Sequence, residues 1–191
     1  MARERKFTDE RLFQVTKQLI ISEGYEAFTF SKLAAILQVS RGSIYKYYEN
    51  KDELISEFLM FEMNRFLTNF NNLEKTGDFQ MQFNDLIDFI FEHSNIYEVV
   101  EIINQIPGNT TKRVENNKSK LSEYHVDMYE QFQGFIELGR KEKVIKSHLP
   151  TSVILGMIFQ IIAIPNHYGI PQADWVTSIK EILSYGMFDK D

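Results

Sequence analysis

Apolar residues recur at three- and four-residue intervals along nearly the whole chain, and no convincing strand interrupts them, so the pattern predicts an all-α protein. Thr8 can cap a first helix that carries Asp9 and Glu10 in its first turn and Leu12, Val15, Leu19 and Ile20 on one side; Gly24 ends it. Between Thr29 and Leu54 the boundaries come close together. Thr29 can cap a short helix with Phe30, Leu33, Ala34 and Leu37 on its apolar face, Gln38 and Val39 make a turn, and Ser40 can cap a second helix from about Arg41 to Tyr48 that buries Ile44 and Tyr48. Asn50 followed by Glu53 has capping-box spacing and opens a long helix reaching about Phe70.

Further along, Asn71 to Asp78 reads as a loop, and Phe79, Phe83, Leu86, Ile87, Ile90 and Phe91 mark a helix. Ser94 can cap another that runs to about Ile106, where Pro107 and Gly108 stop it. The polar run from Gly108 to Lys120 reads as loop or frayed helix. Leu121, Tyr124, Met128, Phe132, Phe135, Ile136 and Leu138 then carry a long helix to a turn around Lys143. Residues Pro150 to Pro165 are apolar nearly all the way round, and Asp174 can cap a final helix bearing Trp175, Ile179, Ile182, Leu183 and Met187.

Two short helices around a tight turn are the helix-turn-helix shape, whose second helix enters the DNA major groove. The side facing away from Ile44 and Tyr48 offers Arg41, Gly42, Ser43, Lys46 and Tyr47, which are donors, a residue without bulk and an aromatic hydroxyl. No carboxylate falls between Arg41 and Tyr48, which favours a polyanionic partner over plain solvent.

These residues resemble the TetR-type, or tetracycline-repressor-like, transcriptional regulators. The resemblance runs in order through Gly24-Tyr25, Thr29, Leu33-Ala34, Val39-Ser40, Gly42, Ile44-Tyr45, Tyr47-Tyr48, and Lys51 with Leu54, and covers roughly the first third of the chain. Two positions depart from the family pattern. Gln38 stands where glycine is usual, which predicts a non-glycine residue at positive φ or an altered turn, and Lys32 replaces an acidic residue that often completes the cap. The resemblance implies a three-helix DNA-binding domain over residues 1–50 and a helical effector-binding and dimerisation domain over 51–191. It places Ser43, Lys46, Arg41 and Tyr45 near base edges and Thr29, Tyr47 and Lys51 at phosphates, with Ser40 and Gly42 in the same surface.

Composition sharpens this picture in one respect. The net charge of −6 argues against a polyanionic partner until the chain is divided: residues 1–51 hold nine Lys and Arg against six Asp and Glu, and the remainder holds twelve against twenty-one. A basic head on an acidic body would orient itself on DNA. Arg3, Arg5 and Lys6 form a basic arm, readable as a phosphate or minor-groove contact or as a solubilising tail. With no cysteine there is neither a disulfide framework nor thiolate chemistry, and no apolar run has the length of a membrane span or a secretory leader, so a cytoplasmic protein is expected.

The body invites two readings. An apolar helix without a polar face needs cover on every side, and the family pairs its last two helices with their copies in a four-helix bundle. A homodimer interface is therefore expected at Gly156, Phe159, Gln160, Ala163, Trp175, Ile179, Ile182 and Leu183, with Gly156 and Ala163 permitting close approach; an internal core helix is the alternative. In the family a small effector enters between the middle helices, which implicates Phe61, Phe91, Tyr124, Met128 and Phe132, with Asn104 or His125 as polar handles, although such aromatic stripes also serve as plain core. A lipophilic or aromatic effector suits that lining.

Enzymatic chemistry finds no support. His93, His125, His148 and His167 lack metal-ligand spacing, no HExxH, GxSxG or glycine-rich phosphate loop occurs, and Asp85 with Asp88 reads as a solvated face, so no metal, cofactor or catalytic residue is expected. Two readings of function remain: a homodimeric regulator, expected to repress at a palindromic double-stranded DNA operator until an effector releases it, or an architectural or protein-docking DNA-binding protein without a small-molecule switch.

Overall fold

A computed structural model describes residues 6–73, 76–94, 102–107 and 111–188. The chain is all-α: no strand occurs among the described residues, where an isolated antiparallel bridge joins Ile145 and Phe188. Its helices are α1 (Asp9–Ala27), α2 (Phe30–Ile36), α3 (Arg41–Tyr45), α4 (Lys51–Asn71), α5 (Phe79–Glu92), α6 (Lys112–Lys141), α7 (Thr151–Gln160) and α8 (Gln172–Met187), with short 3-10 turns at Ile102–Gln105 and Ile161–Ala163. Contacts divide the chain into two compact units. The first comprises Met1–Arg65 and Asn95–Tyr124, the second Phe66–Ser94 and His125–Asp191, so α4 and α6 each give residues to both.

In the first unit, local chemistry sets the ends of the helices. Thr8 accepts from the Arg11 amide at 3.2 Å and Thr29 from the Lys32 amide at 3.3 Å, while Gly24, at φ 82°, breaks α1 before its last residues. Asn50 accepts from the Glu53 amide at 3.0 Å; the Glu53 carboxylate reaches back to the Glu49 amide at 2.9 Å, one residue beyond its expected partner. Leu12, Val15, Leu33, Ile44, Leu54 and Phe58 have no exposed surface and form the centre of this unit.

The second unit is built around stacked phenyl rings. Phe79 lies 4.7 Å from Phe135, and the outer end of its ring abuts Gly139, where an added Cβ would collide with it. Asp78, expected in a loop, caps α5 by accepting from Met81 N at 2.9 Å. Gln80 donates to Ser184 at 3.2 Å and Lys180 pairs with Asp88 at 2.6 Å, joining α5 to α8.

Several expected boundaries move. The polar run expected to be loop or frayed is helical from Lys112, since Val114 on its inner side is fully buried and its polar groups find partners on α4; residues 108–110 lie outside the described ones. Of the helix expected from Ser94 to Ile106, residues 95–101 also lie outside, and the described part is a 3-10 turn. The apolar helix expected to reach Pro165 ends as α7 at Gln160 and tightens into the second 3-10 turn. At α8 the cap position is Pro171, leaving Asp174 in the first turn.

Candidate nucleic-acid interface

The turn between α2 and α3 closes in a six-residue pattern: Val39 N donates to Ala34 O at 3.0 Å and Gln38 N to Ala35 O at 3.2 Å, with Gln38 at φ 55°. This is a Schellman cap with glutamine at the left-handed position, as the departure from glycine predicted. A side chain there costs about 1 kcal/mol relative to glycine. Lys32, the other departure, ties α2 to the end of α1 by pairing with Glu23 and donating to the Ala27 carbonyl at 2.9 Å. The position that lacks an acidic cap is held by a basic clamp instead.

Ser40 occupies the cap of α3 without capping it. Its hydroxyl lies 2.9 Å from the Ser43 hydroxyl and makes no side-chain cap bond to the backbone, which corrects the sequence expectation. Although α3 is assigned only to Tyr45, Tyr48 N still donates to Ile44 O at 3.2 Å, so the helical course continues through the expected span. Ile44 and Tyr48 are buried as expected. Arg41, Gly42, Tyr45, Lys46 and Tyr47 are exposed and Ser43 is half-buried, so the polar side of the helix faces outward. Tyr45 rests edge-on against Phe30 at 5.0 Å and Tyr47 against Phe7 at 5.9 Å.

Gly42 has no duty to the fold: a Cβ there would meet only Ser40 Oγ at 3.9 Å, and its φ is not positive. Glycine in a helix costs about 0.5–1 kcal/mol relative to alanine, and packing within the unit does not account for it here.

Lys51, expected at phosphate, is half-buried and already engaged. Its ammonium donates to the Tyr25 carbonyl at 2.9 Å and stands 4.0 Å above the Tyr25 ring centroid. Tyr25 in turn donates its phenol hydrogen to Asp52 at 2.7 Å. Burial, followed by that bond to a carboxylate, pushes the Tyr25 phenol well above its ordinary pKa. In the basic arm Lys6 is exposed, whereas Arg3 and Arg5 lie outside the described residues.

Sequence reasoning missed the groups that close the far end of α3. Arg113, from α6, donates to the Tyr47 carbonyl at 2.7 Å, pairs with Glu57, and lies 4.8 Å over the Tyr48 ring. The only signal was a basic residue in a polar run, which nothing local distinguishes from a solvated one.

The expected effector residues fall in both units. Phe61, Asn104 and Tyr124 belong to the first, where Phe61 lies 5.0 Å from Phe13, Tyr124 is half-buried and Asn104 is exposed. Phe91, His125, Met128 and Phe132 belong to the second; Phe91 and Met128 are half-buried, His125 is exposed, and the buried Phe132 stacks on Phe70 at 4.5 Å. A polar pair not foreseen stands beside that stack. His93 Nδ1 lies 2.9 Å from the Phe89 carbonyl, which requires the hydrogen on that nitrogen and leaves Nε2 to accept from Asn69 at 3.2 Å.

Among the expected interface residues, Gly156, Gln160, Ala163 and Ile182 are exposed, and Phe159 and Trp175 are half-buried. Ile179 and Leu183 instead point into the core of their own unit. Val153 and Met157 on α7 and Tyr185 on α8, not singled out in advance, are exposed as well. No group of three or more His, Cys, Asp or Glu residues suited to a metal occurs among the described residues, and none of their helices is long and apolar enough to cross a membrane.

Comparison with known proteins places this geometry. Residues 12–58 match the model of the bacterial regulatory proteins of the tetR family. Over 49 residues the chain is 41% identical to an uncharacterised HTH-type transcriptional regulator of Haemophilus influenzae, a match spanning 26% of either chain and so about a quarter of that relative's length. Two solved structures share the fold almost end to end. A tetR-family regulatory protein from Rhodococcus RHA1 has a TM-score of 0.75 at 12% identity, covering 99% of this chain and 100% of that one. The ketosteroid transcriptional regulator KstR2 of Mycobacterium tuberculosis has a TM-score of 0.70 at 13% identity, covering 100% and 98%. At such identities the likeness concerns the fold.

Proposed function

We propose, for a chain whose N-terminal head belongs to the TetR family of bacterial regulatory proteins, that it is a homodimeric, cytoplasmic, DNA-binding transcriptional regulator. It represses from a palindromic operator and is released by a small lipophilic or aromatic effector. The observation that carries the DNA reading is the outward side of α3: exposed Arg41, Lys46 and Tyr47, no carboxylate, and a Gly42 whose lack of a side chain the fold does not require. Ser43, Lys46, Arg41 and Tyr45 would approach base edges, Thr29, Tyr47 and Lys51 the phosphates.

The exposed stripe of Val153, Gly156, Met157, Gln160 and Ile182 supports pairing of two copies. For release, an effector must bind one spacing of the two heads better than the other. A second reading keeps the head and drops the switch; the packing of Phe132, an expected effector residue, against Phe70 as core supports it.

Selection of bound sequences from a random DNA pool, followed by affinity for the winner across a salt series, tests the first part. An enriched palindrome with half-sites about one helical turn apart and a steep salt dependence is the expected outcome. A folded dimer that enriches nothing overturns it. Thermal denaturation with lipophilic compounds then separates the readings, since a ligand at 100 times its dissociation constant adds about 2.7 kcal/mol, whereas a docking protein shows no shift with any of them.

A further inference from the structure

Arg113 is 66 positions from Tyr47 in sequence, yet its guanidinium makes two contacts at the end of α3 and a third with α4. One Nη1 hydrogen goes to the Tyr47 carbonyl at 2.7 Å, Nη2 pairs with Glu57 on α4, and the guanidinium plane covers the Tyr48 ring at 4.8 Å. Nη1 also lies 3.8 Å from Glu53, which is 6% exposed and accepts from Thr111 at 2.7 Å and from the Glu49 amide at 2.9 Å. Two residues of the α6 start therefore grip three consecutive positions after α3, Tyr47 through its carbonyl, Tyr48 through its ring and Glu49 through the shared carboxylate. Asn117, one turn on from Arg113, adds a bond to Ser56 at 3.0 Å.

A five-residue helix has too few internal bonds to fix its own direction, and carbonyls past its end need partners from elsewhere. The ion pair with Glu57 would contribute little alone, because both side chains are more than a third exposed on average. What makes the site specific is the planar fork, which can serve a backbone carbonyl and a carboxylate together while stacking on a ring.

We propose that Arg113 is a positioning residue for base reading, holding the orientation of α3 without touching DNA itself. This rests on the DNA-binding reading above. Base discrimination then depends on a side chain outside the helix-turn-helix. Losing the fork lets α3 tilt, so affinity for the preferred operator falls by about tenfold, the scale of one charge-assisted hydrogen bond, while poor operators lose less.

The test measures Arg113→Ala, Arg113→Lys and Glu57→Gln against the operator selected by the wild type and against single-base variants of it, over a salt series, with amide hydrogen exchange at Tyr47, Tyr48 and Glu49 in the DNA-free protein. The expected result is narrowed discrimination between operators in Arg113→Ala, an unchanged salt slope, and faster exchange at those three amides. Arg113→Lys keeps the charge without the fork and recovers only part of the discrimination, and Glu57→Gln falls between it and the wild type. A salt slope reduced by about one in Arg113→Ala would instead make Arg113 a direct phosphate contact and overturn the proposal. So would wild-type discrimination in a folded Arg113→Ala or, should that variant not fold, in both Arg113→Lys and Glu57→Gln. If the wild type selects no DNA, the DNA-binding reading fails and this inference with it; unequal exchange between wild type and variant would then still mark the clasp as real.

Discussion

Lys51 and Tyr25 form a two-point contact in which the ammonium both donates to the tyrosine's carbonyl and sits over its ring. An ammonium has three hydrogens, and the bond to the carbonyl uses one of them. Lys51→Ala should therefore do two things at once. It should lower the unfolding midpoint, through loss of about 1 kcal/mol from each contact, and weaken binding to all DNA sequences while reducing the salt slope by about one. Lys46→Ala, at an exposed position, should leave the midpoint alone and change which bases are preferred. Unfolding curves and binding titrations on the same preparations decide this: an unaltered slope in Lys51→Ala removes Lys51 from the phosphate contacts, and equal operator preferences in Lys46→Ala remove Lys46 from base reading.

The Tyr25 phenol gives the head a dependence on alkaline pH. Its folded pKa is raised from an ordinary 10.0 by burial and by the bond to Asp52. The stabilisation it provides is thus fully present below pH 10.0 and is lost as pH rises toward the folded value, because the unfolded chain releases the proton first. Urea unfolding of wild type and Tyr25→Phe should show a stability difference that shrinks above that pH. A difference that stays constant through the alkaline range would mean that the phenol does not titrate as its surroundings dictate.

Two glycines make a contrasting pair. Gly139→Ala drives a methyl group into the Phe79 ring and should cost about 1–3 kcal/mol, recovered in part by Phe79→Leu. Gly42→Ala makes only an ordinary contact with Ser40 and should stabilise the fold by up to about 1 kcal/mol while weakening operator binding. Thermal midpoints paired with operator affinities check both. If Gly42→Ala binds as tightly as the wild type, the close approach of DNA to that position is refuted.

Ile182 is 67% exposed on the outer side of α8, where burial against a second copy would recover about 2 kcal/mol per side chain. Ile182→Glu places a charge on that side in both protomers and should yield monomers with intact helical content, measured as mass by sedimentation equilibrium and as helicity by circular dichroism. An undiminished dimer at micromolar concentration would place the interface elsewhere.

Local chemistry makes the head legible in the sequence. Thr8, Thr29 and Asn50 act within three residues of themselves, so their roles can be read from spacing, and the family resemblance rests on the same short-range constraints. Ser40 shows the limit of such reading, because a neighbouring hydroxyl competed successfully for its oxygen. The start of α6 was misjudged for a related reason: its polar residues look solvated until the α4 groups that receive them, Glu53, Ser56 and Glu57, are brought alongside by the fold. At α8, periodicity located an apolar helix but not how wide its inward face is, and Ile179 is buried while Ile182, one turn on, is exposed.

The clasp on α3 also bears on how such proteins can be recombined. A head cut from this chain at residue 50 and fused to another helical body would leave Arg113 and Glu53 behind, and with them the grip on the Tyr47 carbonyl and the acceptor of the Glu49 amide. The compact unit that holds α3 is discontinuous, and under the proposed function chimaeras drawn along the linear boundary should read operators less faithfully than those that also carry the first turns of α6.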